Sequence, residues 1–184
     1  YSLISDSEKS EKNVDISGPI NTICEIQKNK EEHMFITGGN DSQKIKIWKI
    51  DIQSGRNKSG DTKRIYLYKN LEDLEHEGNI LSICELSDGR IASSSSKNII
   101  IWSINRANSQ QNDIIITNNV SYESCLIECD ETLISGSGEG RLKLWNIYSG
   151  SLKKFLKCHN GKITCIAKLT KNKVATGSSD TTII

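Results

Sequence analysis

A single proline stands in 184 residues, and neither sign of charge is in excess, with Lys+Arg 24 against Asp+Glu 23. With so little proline, few positions deny a backbone N–H to a sheet ladder, and the abundant Ile, Ser, Asn and Lys suit a β-rich soluble protein. The balanced charge leaves no basic field to draw the chain onto nucleic acid or an anionic membrane, so neither is an expected partner. No apolar run approaches the roughly 20 residues needed to span a bilayer as a helix. The chain opens Tyr-Ser-Leu-Ile, without Met and without the apolar core of a signal peptide, and reads as a piece of something longer.

Metal-site and disulfide signatures are also missing. The six cysteines, Cys24, Cys84, Cys125, Cys129, Cys158 and Cys165, form no CxxC pair. Four of them lie inside strand-like runs beside Ile or Leu, where free Cys behaves as a small buried hydrophobe. A reducing cytoplasm is the expected compartment, with the nucleus as the alternative, and the sequons at Asn40, Asn57 and Asn119 are chance products of an Asn/Ser-rich chain. Cys158-His159 with Cys165 offers soft ligands, but no second Cys/His pair completes a tetrahedral site, so no metal is expected. Gly136-Ser137-Gly138-Glu139-Gly140 is glycine-dense yet sits between two strands, without the helix N-terminus a phosphate cradle needs. No cofactor is expected.

What is present is repetition. Ile20–Ile26, Met34–Gly39 and Lys44–Trp48 read as three strands, with a turn at 40–43. A polar stretch from Asp51 to Lys63 reads as an exposed loop, and Arg64–Tyr68 as a fourth strand. The same order recurs as Ile80–Leu86, Arg90–Ser94, Asn98–Trp102 and Asp113–Thr117, then as Tyr122–Ile127, Thr132–Gly136, Arg141–Trp145 and Leu152–Leu156. A fourth copy supplies Ile163–Leu169, Val174–Gly177, a turn at Ser178-Ser179-Asp180 and a third run, Thr181–Ile184. First strands begin at Ile20, Ile80, Tyr122 and Ile163, in steps of 60, 42 and 41, while Trp48, Trp102 and Trp145 step by 54 and 43. A period of roughly 40–45 with four strands per unit is that of a propeller blade. The excess in the first step falls in the polar stretch after Trp48, where an insertion would lengthen a loop and spare the strands.

Blade sheets pack face to face, so inner strands should be buried on both sides. The first strands suit this, with Ile20, Thr22, Cys24 and Ile26 on one face of the first copy, and Ile80, Ser82, Cys84 and Leu86 in the second. The third strands carry the Trp, whose indole buries a large area and needs an acceptor for its N–H.

IASSSSKNIIIW at 91–102, LISGSGEGRLKLW at 133–145 and VATGSSDTTII at 174–184 resemble the WD-repeat β-propellers. In that family a His before the first strand, a Ser/Thr in the second, an Asp in the turn and the Trp form a hydrogen-bonded brace. Carried over, the resemblance implies braces at Thr37, Asp41 and Trp48; at His76, Ser93 and Trp102, with Lys97 in the Asp place; and at Ser135 and Trp145, with Glu139 in the Asp place. The last copy supplies His159, Thr176 and Asp180. The namesake Trp-Asp pair is replaced by Trp48-Lys49, Trp102-Ser103 and Trp145-Asn146. The implied fold is all-β, a partial ring of about four four-stranded antiparallel blades. Its blades would span about 18–70, 76–118, 119–157 and 158–184, the last truncated, after a polar lead-in or end of a preceding blade at 1–17. Rings of the family usually close with about seven blades, and a partial one exposes faces meant for neighbours, so this stretch alone is expected to be poorly soluble or to aggregate.

The leading expectation for function is a non-catalytic scaffold for proteins or peptides. The alternative is a recruiting module of a larger enzyme, kinase or ubiquitin-ligase assembly. An enzyme within the propeller is disfavoured because Ile, Thr, Ser, Cys and Ala line the inner strands, with Glu25 and Glu85 on the opposite register. Binding would use loops on a rigid scaffold. The candidates are Asn40, Ser96, Gly138 and Ser179 in the turns, and Glu77, Asn79, Asn160 and Lys162 before the first strands. A modest basic group, Arg56, Lys58, Lys63 and Arg64, marks a second surface at the insertion. His33, beside Glu31 and Glu32, is expected to face solvent.

Overall fold

The computed structural model describes residues 18–27, 33–40, 44–53, 62–71, 76–104, 113–117, 122–170 and 172–184. The lead-in 1–17 therefore lies outside the described residues. Among the described residues fourteen strands follow one another, and there is no helix long and apolar enough to cross a membrane. The first sheet holds β1 (Ile20–Ile26), β2 (Met34–Gly39), β3 (Ile45–Gln53) and β4 (Thr62–Leu71) in sequence order. The second holds β5 (Ser82–Glu85), β6 (Ile91–Ser94), β7 (Asn98–Trp102) and β8 (Ile114–Thr117). The third holds β9 (Glu123–Cys129), β10 (Thr132–Ser137), β11 (Arg141–Asn146) and β12 (Leu152–Lys157). The fourth has two strands, β13 (Ile163–Thr170) and β14 (Lys173–Ser178). All neighbours are antiparallel, so each sheet is a meander, the architecture of propeller blades.

Periodicity explains the strands, and packing explains their burial. β6 and β7 are buried at every residue, as expected for inner strands covered on both faces. The cores lie between sheets. Ile36, Ile45 and Ile47 of the first sheet pack with Ile80, Ile83, Ile91, Ile100 and Trp102 of the second. Ile99 and Ile101 of the second pack with Leu126, Leu133 and Trp145 of the third. Cys125, Ile134 and Leu142 of the third pack with Ile163 of the fourth. Where β9 turns into β10, Asp130 and Glu131 take φ of 47° and 55°, the left-handed pair of a two-residue hairpin turn.

Four details depart from the sequence reading. Both ends of the polar stretch after Trp48 are strand, since β3 and β4 run on in register through Asp51↔Arg64, Ile52↔Lys63 and Gln53↔Thr62, while 54–61 lie outside the described residues. Alternation persists there through Ile50 and Ile52, and a hairpin arm tolerates polar residues on both faces. Arg56 and Lys58 lie outside the described residues, and Lys63 and Arg64 belong to β4. The first strand of the second sheet starts at Ser82, because Ile80 donates its N–H to Gly39 O of the first sheet at 3.2 Å instead. The run Thr181–Ile184 makes a single bridge, Gly177↔Ile183, after a left-handed Thr181. Cys165 is exposed rather than buried, because β13 has no further sheet against its outer face among the described residues. Burial does raise the thiol pKa elsewhere, pushing Cys125 up to about 11 and Cys84 higher still.

Candidate interaction face and the braces beneath it

The eye-catching polar residues sit inside the blades. In the first sheet Trp48 donates Nε1–H to Thr37 Oγ1 at 2.8 Å, both buried, while Phe35 stacks on the indole at 6.2 Å between centroids. Asp41 lies outside the described residues.

In the second sheet Trp102 donates Nε1–H to Ser93 Oγ at 2.6 Å, and Ser93 Oγ lies 2.7 Å from His76 Nε2. The other ring nitrogen, Nδ1, lies 2.6 Å from Asn98 Oδ1, which also accepts Ser95 Oγ–H at 2.7 Å. An amide oxygen only accepts, so His76 carries its proton on Nδ1 and accepts the Ser93 hydroxyl at Nε2. Lys97, in the Asp place by sequence, is exposed, and its neighbour Asn98 completes the brace. In the third sheet Trp145 donates to Ser135 Oγ at 2.8 Å. Glu139, the other Asp substitute, pairs at the surface with Arg141 Nε at 3.6 Å and takes no part in that brace.

In the fourth sheet His159 is 98% buried and holds Thr176 Oγ1 at 2.8 Å through Nε2. Its Nδ1 faces Asp180 Oδ2 at 3.1 Å and Thr182 Oγ1 at 2.9 Å. Asp180 accepts further from the Thr182 hydroxyl at 2.6 Å, Asn160 N–H at 2.8 Å and Thr182 N–H at 3.0 Å. With both imidazole nitrogens engaged, His159 is not presented as a metal ligand beside Cys158 and Cys165.

These partners set the acid behaviour. Burial lowers the His76 pKa against the opposing Asn98 bond, so the folded blade keeps the ring neutral. The unfolded ring titrates near about 6.5. His76 therefore contributes stability that is fully present above that value and is lost as pH falls toward its depressed folded value. Asp180 is held well below the usual carboxylate range, chiefly by the Thr182 hydroxyl and then by the Asn160 and Thr182 N–H groups and His159. Its contribution is present above about pH 4 and fades below it. Thermal midpoints should thus fall in two windows on acidification. His76→Gln should flatten the one that opens below about pH 6.5, and Asp180→Asn the one below about pH 4. Parallel profiles for wild type and variants would contradict both assignments.

The turn residues lie at one edge of the stack. Asn40, Gly138 and Ser179 donate backbone N–H groups to Pro19 O, Tyr122 O and Lys162 O at 3.2, 3.1 and 2.9 Å, which places them in equivalent positions. Asn40, Glu77, Asn79, Ser96, Asn160 and Ser179 are exposed, whereas Lys162 and Gly138 are half-buried. The Ser96 hydroxyl donates to Glu77 O at 3.5 Å. Lys162 Nζ lies 5.2 Å from the Tyr122 ring centroid, so it bridges the third and fourth blades by a cation–π contact. Gly138 lies under the same ring, since a Cβ there would come within 2.7 Å of it and push the tyrosine aside.

Tyr122, 38% exposed, is the residue of this face that sequence reasoning missed. It occupies the position of Asn79 and Lys162, both nominated, so aligning the copies one residue before their first strands would have found it. Also missed is the buried pair of Lys143 Nζ and Glu123 Oε1, 2.7 Å apart.

Residues 150–184, from β12 through the His159 brace, match the family model described as WD domain, G-beta repeat. The chain carries a WD repeat. The whole chain is also similar to the crystal structure of the computationally designed Ika4 protein, over 91% of its length and 90% of that chain, with a TM-score of 0.66 and 19% identity. At that identity the likeness concerns the fold alone. No curated protein matches the chain. The braces vary from blade to blade, with Asn98 in one and Asp180 in another filling the same place beside a histidine.

Proposed function

We propose that this chain is a non-catalytic protein–protein interaction scaffold that meets a protein or peptide partner at the turn edge of its blades. The observation carrying this reading is Tyr122, an exposed aromatic fixed between Lys162 and Gly138 and surrounded by the short polar turns of neighbouring blades. A rigid aromatic loses little side-chain entropy on binding, and tyrosines of this kind are enriched among residues that dominate interface energy. Asn160 and Ser179 flank it with exposed hydrogen-bonding groups, and the braces beneath hold the turns in place without the partner. In keeping with the family's implied use, the same face would recruit substrates if the chain serves a larger enzyme assembly. Co-purification of a catalytic subunit would assign it that role.

The test is affinity capture with the full-length protein, followed by quantitative binding of whatever partner is identified. Tyr122→Ala should weaken binding by about tenfold or more while leaving the thermal midpoint within a degree or two. Undiminished binding by Tyr122→Ala, or a footprint on the outer strands β4, β8 and β12, would reject this face.

A further inference from the structure

The Tyr122 ring is held between Gly138 and Lys162. A Cβ on Gly138 would come 2.7, 2.8 and 3.2 Å from Cε1, Cζ and the hydroxyl oxygen, distances that place it over the ring rather than beside its rim. Lys162 Nζ stands over the ring, 5.2 Å from its centroid. The electron-rich face is thereby spent on the backbone and the ammonium. What Tyr122 leaves for a partner, at 38% exposure, is its positively polarised edge and its hydroxyl.

The acidic groups nearby are already matched. Glu139, next to Gly138, pairs with Arg141 Nε at 3.6 Å, and Glu123, next to Tyr122, pairs with Lys143 Nζ at 2.7 Å. Asp180 spends its oxygens on the Thr182 hydroxyl and N–H, the Asn160 N–H and His159. Lys162 has no such counterpart. Among the described residues its ammonium makes no ion pair or hydrogen bond, and neither do the hydroxyls of Tyr122 and Ser179. Ser179 belongs to the same cluster, because its backbone N–H donates to Lys162 O at 2.9 Å. One unmatched cation therefore stands with two unused hydroxyl donors where the turns of the third and fourth blades meet.

We infer that the segment read by this edge carries a glutamate or aspartate whose carboxylate is bound between Lys162 and Tyr122. The inference rests on the turn edge being the binding face, and it names what that face selects. A carboxylate accepts on both oxygens, so one can take the ammonium and the other a hydroxyl of Tyr122 or Ser179. A lysine or arginine would meet a like charge beside an electropositive ring edge. A flat aromatic group would find the ring face taken. A phosphate dianion is the ligand of arginine clusters, whereas Arg141 is engaged by Glu139 and a single ammonium remains, which suits a single negative charge.

Oriented peptide libraries passed over the immobilised full-length protein test this. Each pool of random peptides fixes its central residue as Glu, Asp, Gln, Lys, Phe or phosphoserine. The Glu and Asp pools should be retained about tenfold over the others, and added salt should shrink that margin. Lys162→Ala should remove the margin and Lys162→Glu should transfer it to the Lys pool. Lys162→Arg, which keeps a cation over the ring, should preserve it. Lys168→Ala, at the far end of β13 beside Asp130, should behave as wild type. Binding that falls with Tyr122→Ala but shows no acidic preference would overturn this inference and leave the turn edge standing as the binding face. Best retention in any other pool, or an acidic preference that survives Lys162→Ala, would overturn it as well. Retention of no pool, or retention indifferent to Tyr122→Ala, would overturn it together with the face.

Discussion

Replacing Glu123 by Gln should cost about 3–5 kcal/mol of folding stability, among the largest losses any single substitution in this chain can cause. The carboxylate is 1% exposed and lies 2.7 Å from Lys143 Nζ, itself on a side chain only 9% exposed. Removing the negative charge takes from the buried ammonium the carboxylate that lies 2.7 Å away, so that much less of its desolvation is offset. The surroundings suggest what the pair replaces. Glu123 lies opposite Ser137 as Ile163 lies opposite Ser178, and Lys143 lies opposite Ser135 as Ile100 lies opposite Ser93. The Glu123 position is thus isoleucine in the fourth blade and the Lys143 position isoleucine in the second, although the first blade also has a lysine, Lys46, opposite its Thr37. The double variant Glu123→Ile with Lys143→Ile should recover nearly all of the loss and end within about 1 kcal/mol of wild type, or above it. Denaturant unfolding of the two single variants and the double checks this. Additive losses would show that each charge serves a different partner.

Trp102→Ala should cost a comparable amount, about 3–5 kcal/mol. The indole is 1% exposed in the core between the first two blades. Its loss opens a cavity lined by isoleucines that rigid β-strands cannot collapse to fill. It also removes the 2.6 Å donor to Ser93 and the edge contact with the His76 ring, 6.0 Å away. Trp102→Phe keeps most of the apolar volume and should cost less, roughly 1–3 kcal/mol, chiefly through the lost hydrogen bond and imperfect fit. A measured loss below about 1 kcal/mol for Trp102→Ala would place the indole outside the cooperative core.

Most of the fold was legible because alternation and a fixed repeat report directly on strands that pair only with their sequence neighbours. Met34–Gly39, Asn98–Trp102 and Arg141–Trp145 could be read from apolar spacing alone, and the braces Thr37–Trp48, Ser93–Trp102 and Ser135–Trp145 from the family resemblance. What could not be read depends on partners in other blades or on turn geometry. Composition marked 51–53 and 62–63 as loop because strand ends outside the core need no hydrophobic face. Asn98 escaped notice because it follows Ser93 by five residues where Asp180 follows Thr176 by four. Both reach a histidine, but the tighter turn through Ser95 shifts the acceptor by one position. Glu123 and Lys143 stand twenty residues apart on different strands, and only the folded sheet brings their charges within 2.7 Å. The exposure of Cys165 and Ile23 is likewise a property of position in the stack, since Ile83, in the same register as Ile23, is buried.

The central claim is that the histidine, hydroxyl and tryptophan of a blade act as one internal brace rather than as a reactive site. A double-mutant cycle over His76 and Trp102, which meet only through Ser93 and a ring edge, tests it most directly. Stability of His76→Ala, Trp102→Phe and the double variant should show a coupling of about 1 kcal/mol or more, because each residue holds the hydroxyl that the other uses. Losses that add to within about 0.3 kcal/mol would contradict a shared brace.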